Sequence, residues 1–247
     1  MTLFGNARVV WSLVRGQGRA PTHAARLDAF YGPQAERYDA LRERLLHGRD
    51  RLFGWIGAQL TQHAYLVELG AGTGRNLAFL GGRLDDLARV DLVDLCAPML
   101  EQARRRWEKH DRVHAILADA CDYRPEQPAD AVVMAYSLSM IPDWYAAVDN
   151  AIAMLRPGGL LGIADFYVAR RNPPPGSVRH GLLVRHFWPL WFDHEGVFPS
   201  ADHLPYLASR LEILELHEAR GSLPYVPLLR VPYYLLLGRK LGGPPSA

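Results

Sequence analysis

A glycine-rich turn, Val67-Glu68-Leu69-Gly70-Ala71-Gly72-Thr73-Gly74, separates a short apolar run from a helical pattern, and no other feature constrains this chain as much. Glycine tolerates positive φ, so glycines at alternate positions permit a tight turn and let a ligand approach the backbone. The helix behind the turn offers unpaired N–H groups and the positive end of its dipole to polar or anionic ligand groups. Spacing then separates the kinds of glycine turn. A dinucleotide fingerprint needs glycine or alanine at position 75, which here is Arg75. A phosphate-binding P-loop needs Gly-Lys followed by Ser or Thr, and that is absent.

The pattern around the turn is regular. Short apolar runs at 65–69, 90–95, 113–117, 131–136 and 160–167 alternate with helical patterns at 76–84, 98–106 and 144–155, the last closed by Arg156-Pro157-Gly158-Gly159. Strands alternating with helices predict a parallel sheet covered on both faces. Upstream, Thr22 is placed to cap a helix that Gly32-Pro33 ends, and residues 34–60 read as one or two more helices. Residues 170–206 break the rhythm with Pro173-Pro174-Pro175 and an aromatic-rich stretch at 186–192, and they read as an insertion before the last two strands. Those strands are expected at 211–216 and 233–237, joined across 221–232. The chain thus divides into N-terminal helices (1–60), one α/β domain (61–240) and a Gly/Pro/Ser tail (241–247).

Composition narrows the function classes. At 247 residues, 49% hydrophobic and 22% charged, the chain is of ordinary globular make-up. The two cysteines, Cys96 and Cys121, form no CxxC, so neither a disulfide framework nor a cysteine-rich zinc site is indicated and a reducing cytoplasm is expected. A formal net charge of +2 argues against a dedicated nucleic-acid binder. No apolar stretch approaches the roughly 20 residues of a spanning helix, and Val9-Val10-Trp11 between Arg8 and Arg15 is too short for a signal peptide. The charge is uneven: residues 1–51 hold nine arginines against five acids, a net +4.

Two acids complete the reading of the turn. Asp94 ends the second strand, 20 residues after Gly74, where a carboxylate accepts hydrogen bonds from both ribose hydroxyls of an adenosine ligand. Asp119 follows the third strand and is placed to hold an adenine amino group, with Ala120 beside it. Together with Glu68 at the end of strand one, the G-x-G-x-G turn and Leu155-Arg156-Pro157-Gly158-Gly159, these residues resemble the class I S-adenosylmethionine-dependent methyltransferases over residues 64–168. The resemblance implies a Rossmann-like, doubly wound seven-stranded sheet, mostly parallel with an antiparallel last strand. It implies S-adenosylmethionine as cofactor and S-adenosylhomocysteine as product. Glu68, Gly70, Ala71, Gly72, Thr73, Gly74 and Asn76 would shape the methionine end of the site. Asp94, Leu95, Met99, Asp119 and Ala120 would hold the adenosine end. Tyr31 and Tyr38 of the N-terminal helices would close over the cofactor. No metal is implied.

The stretch after strand four, Tyr136 to Pro142, is where such enzymes face their acceptor. It lacks the Asn/Asp-Pro-Pro-Tyr of DNA-amino methyltransferases, a second reason to set nucleic acid aside. Tyr136 and Ser137 are candidates to orient an amine, together with Tyr38. Residues 30–39, 42–49, 187–197, 224–227 and 232–234 resemble segments of the N-methyltransferases of betaine-lipid synthesis, which trimethylate diacylglyceryl-homoserine. That resemblance implies a lipid head-group amine as acceptor and an aminocarboxypropyl transferase as partner. His186, Trp188 and Trp191 would wall the cationic head group, and Arg185, Arg230 or Arg171 would bind its carboxylate. The basic, apolar N-terminal segment 1–20 is expected at the inner face of a membrane, giving a cytoplasmic, peripheral protein. A small-molecule or quinone-type acceptor and a non-catalytic cofactor-binding scaffold are the competing readings. His194 and Glu195 read as a surface turn, and the histidine spacing fits no metal motif.

Overall fold

The structure is a computed structural model, described for residues 21–32, 39, 43, 45–193, 196–223 and 226–242. Seven strands form one sheet in the order β3-β2-β1-β4-β5-β7-β6. They are β1 (Tyr65–Leu69), β2 (Arg89–Asp94), β3 (Val113–Leu117), β4 (Ala129–Ala135), β5 (Leu155–Phe166), β6 (Leu211–Leu223) and β7 (Val226–Lys240). The first five strands run parallel, and β7 runs antiparallel to both β5 and β6. This is the doubly wound sheet expected from the sequence.

All five residues of β1 are buried, as a strand covered on both faces requires. Pleating sends alternate side chains to two separate cores. Leu66, Leu92, Val133, Ala164 and Leu235 join one core, where α2 (Arg49–Gln59) seats Leu52, Phe53 and Ile56. A 3₁₀ helix (Arg75–Asp86) adds Leu77 and Leu80 to that side. Val67, Leu69, Val132, Ile163 and Tyr234 join the other, which is covered by α4 (Trp144–Met154) and Leu207 of α6 (His203–Arg210). A third, small cluster places α1 (His23–Tyr31) on α3 (Ala97–Trp107) through Leu27, Phe30, Tyr31, Cys96 and Met99. Thr22 caps α1 as expected, accepting from Ala25 N at 3.1 Å.

Three boundaries differ from the sequence reading. The segment read as an α-helix over 76–84 is a 3₁₀ helix broken at Gly81 (φ 54°). Helix α4 stops at Met154, and Arg156-Pro157-Gly158 already belongs to β5, entering it through a register shift opposite 129–131. The closing strands are not short strands joined by a long loop but a continuous hairpin, 211–223 against 226–240. Its prolines disguised it. Pro232 lies opposite Arg220 of β6 at the margin of the β5 ladder, which starts at Tyr233, and its carbonyl accepts from Tyr167 N at 3.3 Å. Within the insertion, residues 182–193 form α5 (Leu182–Asp193), with Pro189 inside it.

Candidate cofactor and acceptor site

The cleft opens at the carboxyl ends of β1, β2 and β4, where the strand order reverses between β1 and β4; ligands of open α/β sheets bind at this switch point. Its volume is about 280 Å³. The glycine turn forms its edge. Gly70 N and Ala71 N both donate to Val93 O, at 2.8 and 3.1 Å, and Gly72 N donates to Asp94 Oδ2 at 2.7 Å, so the turn is laced to the end of β2. Gly70 has φ 71°, and a Cβ there would collide with Ser137. Gly74 (φ 65°) abuts Leu92 and accepts the Trp107 indole N–H at 2.8 Å on its carbonyl.

Asp94 and Asp119 are built alike. Each carboxylate accepts the backbone N–H two residues on: Cys96 N to Asp94 Oδ1 and Cys121 N to Asp119 Oδ1, both at 2.8 Å. Both acids line the cleft, with Leu95, Met99 and Ala120 between them as an apolar slot. Burial raises the Asp94 carboxyl above its ordinary value, against the backbone N–H groups of Cys96, Gly72 and Leu95, which lower it. Apolar lining that also carries two hydrogen-bond acceptors fits an adenosine. Helix α1 covers it with His23, Leu27 and Tyr31. His23 is held below its ordinary value by burial and by Arg26, whose guanidinium lies 2.8 Å from His23 Nδ1.

Glu68 lies behind the turn, fully buried. Its Oε1 accepts from Asn76 Nδ2 at 2.7 Å, and Asn76 Oδ1 accepts from Arg49 Nη1 at 2.8 Å. Glu68 Oε2 has no hydrogen-bond partner among the described residues. Burial pushes this carboxyl up to about 8, against the pull of Asn76 and Arg49. Thr73 also stands outside the cleft. It donates to Asp39 Oδ1 at 2.6 Å and accepts from Arg106 Nη1 at 2.9 Å, fastening the turn to the N-terminal segment.

Tyr136 and Ser137 line the cleft at the end of β4. Tyr136 holds φ 58°, an uncommon conformation for a bulky residue and of the kind that collects at functional sites. Its hydroxyl donates to His47 O at 2.7 Å, and burial raises the phenol well above its ordinary value. The Tyr136 hydroxyl is therefore a protonated donor that ties the end of β4 to His47. Ser137 Oγ donates to Leu69 O at 2.9 Å, so this hydroxyl positions the turn instead of reaching the acceptor. Tyr31 donates to Met140 Sδ at 3.4 Å and closes the cleft from the other side.

The structure thus brings Tyr31, Gly70, Gly72, Asp94, Leu95, Met99, Asp119, Ala120, Tyr136 and Ser137 together around one cleft. Glu68, Asn76, Ala71, Thr73 and Gly74 support it from behind. Tyr38, His194 and Glu195 lie outside the described residues. The six head-group candidates, Arg171, Arg185, His186, Trp188, Trp191 and Arg230, do not line the cleft. Trp188 is buried, packing on Phe187 and Phe192. Arg185, His186 and Trp191 sit elsewhere on α5, and Arg230 is exposed on β7 opposite Ser222. Arg171 is exposed and also apart. Sequence reasoning missed His23, Leu27 and Asp143 of the lining, and it passed over both cysteines, whose thiols burial pushes up to about 12. It also missed Asp165, which is buried in β5 and accepts Ser139 N at 2.9 Å and Ser139 Oγ at 2.6 Å, fixing the turn that carries Met140. A single acid inside the apolar run 160–167 was the signal for it.

Fold and site together define an α/β domain built to hold an adenosine-containing cofactor. Residues 66–159 match the methyltransferase domain family. A demethylmenaquinone methyltransferase of Clavibacter sepedonicus is 30% identical over 161 residues, 63% of this chain and 62% of that protein, so the match spans less than two thirds of that relative. A demethylmenaquinone methyltransferase of Thermus thermophilus is 30% identical over 209 residues, 82% of this chain and 92% of that one. Among solved structures, the N-methyltransferase NodS from Bradyrhizobium japonicum WM9, in complex with S-adenosyl-l-homocysteine, shares the fold. Its TM-score is 0.63 at 16% identity, covering 87% of this chain and 98% of that one. This chain belongs to the class I S-adenosylmethionine-dependent methyltransferases.

Proposed function

We propose that the chain transfers methyl groups from S-adenosylmethionine to the amine of a lipid head group, with diacylglyceryl-homoserine as the acceptor. The observation that carries this reading is the charge of the cleft. Its ionisable lining among the described residues consists of Asp94, Asp119, Asp143, His23, Tyr31, Tyr136 and two raised thiols, with no lysine or arginine. Such a lining, with the rings of Tyr31 and Tyr136, suits a cationic cofactor and an amine that becomes a quaternary ammonium. The sulfonium of the bound cofactor supplies an already activated methyl group. The protein's part is to align the nucleophile, exclude water and keep the amine unprotonated. The apolar walls of Tyr31, Met140 and Tyr136 favour the neutral amine by withholding solvent from its charged form, against the opposite pull of the three carboxylates. The resemblance of residues 30–39 and 187–197 to betaine-lipid enzymes supports the choice of lipid.

A quinone-type acceptor is the second reading, supported by the names of the two relatives. The test is a product assay. Purified protein with S-adenosylmethionine is offered diacylglyceryl-homoserine or a reduced naphthoquinone in detergent, and lipids are read by mass spectrometry. Addition of one to three methyl groups to the homoserine lipid is expected. Methylation of the quinol alone would replace this reading with the second, and an unchanged homoserine lipid would remove it.

A further inference from the structure

Helix α5 is apolar on two faces. Trp188 and Phe192 are buried, at 2% and 1% exposure, and fix the helix to the core. Leu183, Phe187, Leu190 and Trp191, spaced three or four apart, form a separate stripe that faces outward. Leu183 is 85% exposed and Leu190 72%, and Leu182 and Phe198 extend the patch. A contiguous exposed stripe of large apolar side chains marks an interaction surface.

Charge indicates what covers it. From Tyr167 to Phe192 the sequence has no acidic residue, and the exposed Asp193 stands at the far end of α5. Arg170 is paired with Asp202, but Arg171, Arg179, Arg185 and His186 make no ion pair among the described residues. Leu, Phe and Trp along one stripe with unpaired arginines beside it are the composition of a helix that lies in the plane of an anionic bilayer. The patch is also close to the cleft. The Phe192 ring stacks on Phe166 at 4.8 Å, and Phe166 contacts Tyr136 of the cleft wall at 4.7 Å. Phe198 N donates to Ser139 O at 2.7 Å, next to Met140 of the lining.

We propose that the outward face of α5 is a docking surface for an anionic bilayer, seating the mouth of the cleft at the lipid surface. Lipid delivery to the cleft rests on the proposed lipid acceptor; docking does not.

The test is flotation with vesicles that hold no acceptor lipid, so its failure is distinct from failure of the product assay. Three proteins are compared: the full chain, the double variant Leu183→Glu/Leu190→Glu, and a form lacking residues 1–20. With equimolar phosphatidylcholine and phosphatidylglycerol, the full chain and the shortened form float. Binding falls in pure phosphatidylcholine and at high salt. The double variant loses roughly tenfold or more of its partition while keeping its S-adenosylhomocysteine affinity and melting temperature. Any of three results overturns the proposal. The full chain does not float, the double variant floats like the full chain, or the double variant turns a dimer into a monomer in light scattering, which would make the face a contact between two copies.

Discussion

Asn76 donates its side-chain amide to Glu68 Oε1 across 2.7 Å, and through this bond the carboxyl behind the glycine turn is held in a site that water does not reach. Burial outweighs the bond, so Glu68 is raised from 4.5 to about 8. A raised folded-state value means that the group's contribution to stability is complete below pH 4.5 and is lost as pH rises through about 8. Glu68→Gln keeps an acceptor for Asn76 and removes the titration. Its stability, from denaturant melts of the cofactor-free protein, is expected to change less between pH 5 and 8 than that of the parent, by a few kcal/mol. Equal slopes for the two proteins would show that Glu68 titrates normally.

Gly70 combines φ 71° with contact against Ser137, so an added methyl meets both backbone strain and a collision. Gly70→Ala is expected to lose at least about 2 kcal/mol of stability. It should also bind S-adenosylhomocysteine weakly, because the turn carries the Gly72 N–H that meets Asp94. Thermal melts and calorimetry on the same sample check the two effects.

Tyr136→Phe retains the ring against Phe166 but leaves His47 O without its donor. A loss of about 1 to 2 kcal/mol is expected. Hydrogen exchange should quicken at the start of α2 while β4 stays protected, since Tyr136 N still bonds Ala164 O. Uniform exchange across both elements would mean that the hydroxyl anchors nothing.

His203 is fully buried between Trp144 and Tyr234, and neither ring nitrogen has a hydrogen-bond partner among the described residues. Burial lowers it from 6.5 to about 4. A depressed value gives stability that is present above pH 6.5 and lost as pH falls through about 4. His203→Phe is expected to fold at neutral pH and to resist acid better, by up to about 3 kcal/mol near pH 4. His180, lowered to about 4 by burial and Arg220 against the pull of Glu218, retains its own share of the acid sensitivity. Acid titration of the variant and its parent by circular dichroism measures the difference.

The cofactor half of the site was legible in the sequence because its chemistry is local. Gly70, Asp94 and Asp119 each stand at a strand end, and a strand end is fixed by the apolar run before it. The acceptor half depends on distant contacts. His23 reaches the cleft only because α1 rests on Met99 of α3, and nothing in residues 22–31 announces that. The aromatic-rich insertion suggested a cation cage from its composition. Composition does not assign faces, and the helix turns Trp188 into the core and Trp191 outward. The β6–β7 hairpin was shortened in the reading because Pro227 and Pro232, both inside β7, look like loop residues in the sequence.

The central claim is that the cleft between Gly70 and Asp119 holds S-adenosylmethionine, with Asp94 on the ribose. Titration calorimetry with S-adenosylhomocysteine tests it most directly. One-to-one binding by the parent protein is expected, weakened about tenfold or more in Asp94→Ala through the loss of charge-assisted hydrogen bonds. No heat at millimolar ligand, or equal affinity in the variant, would contradict the account.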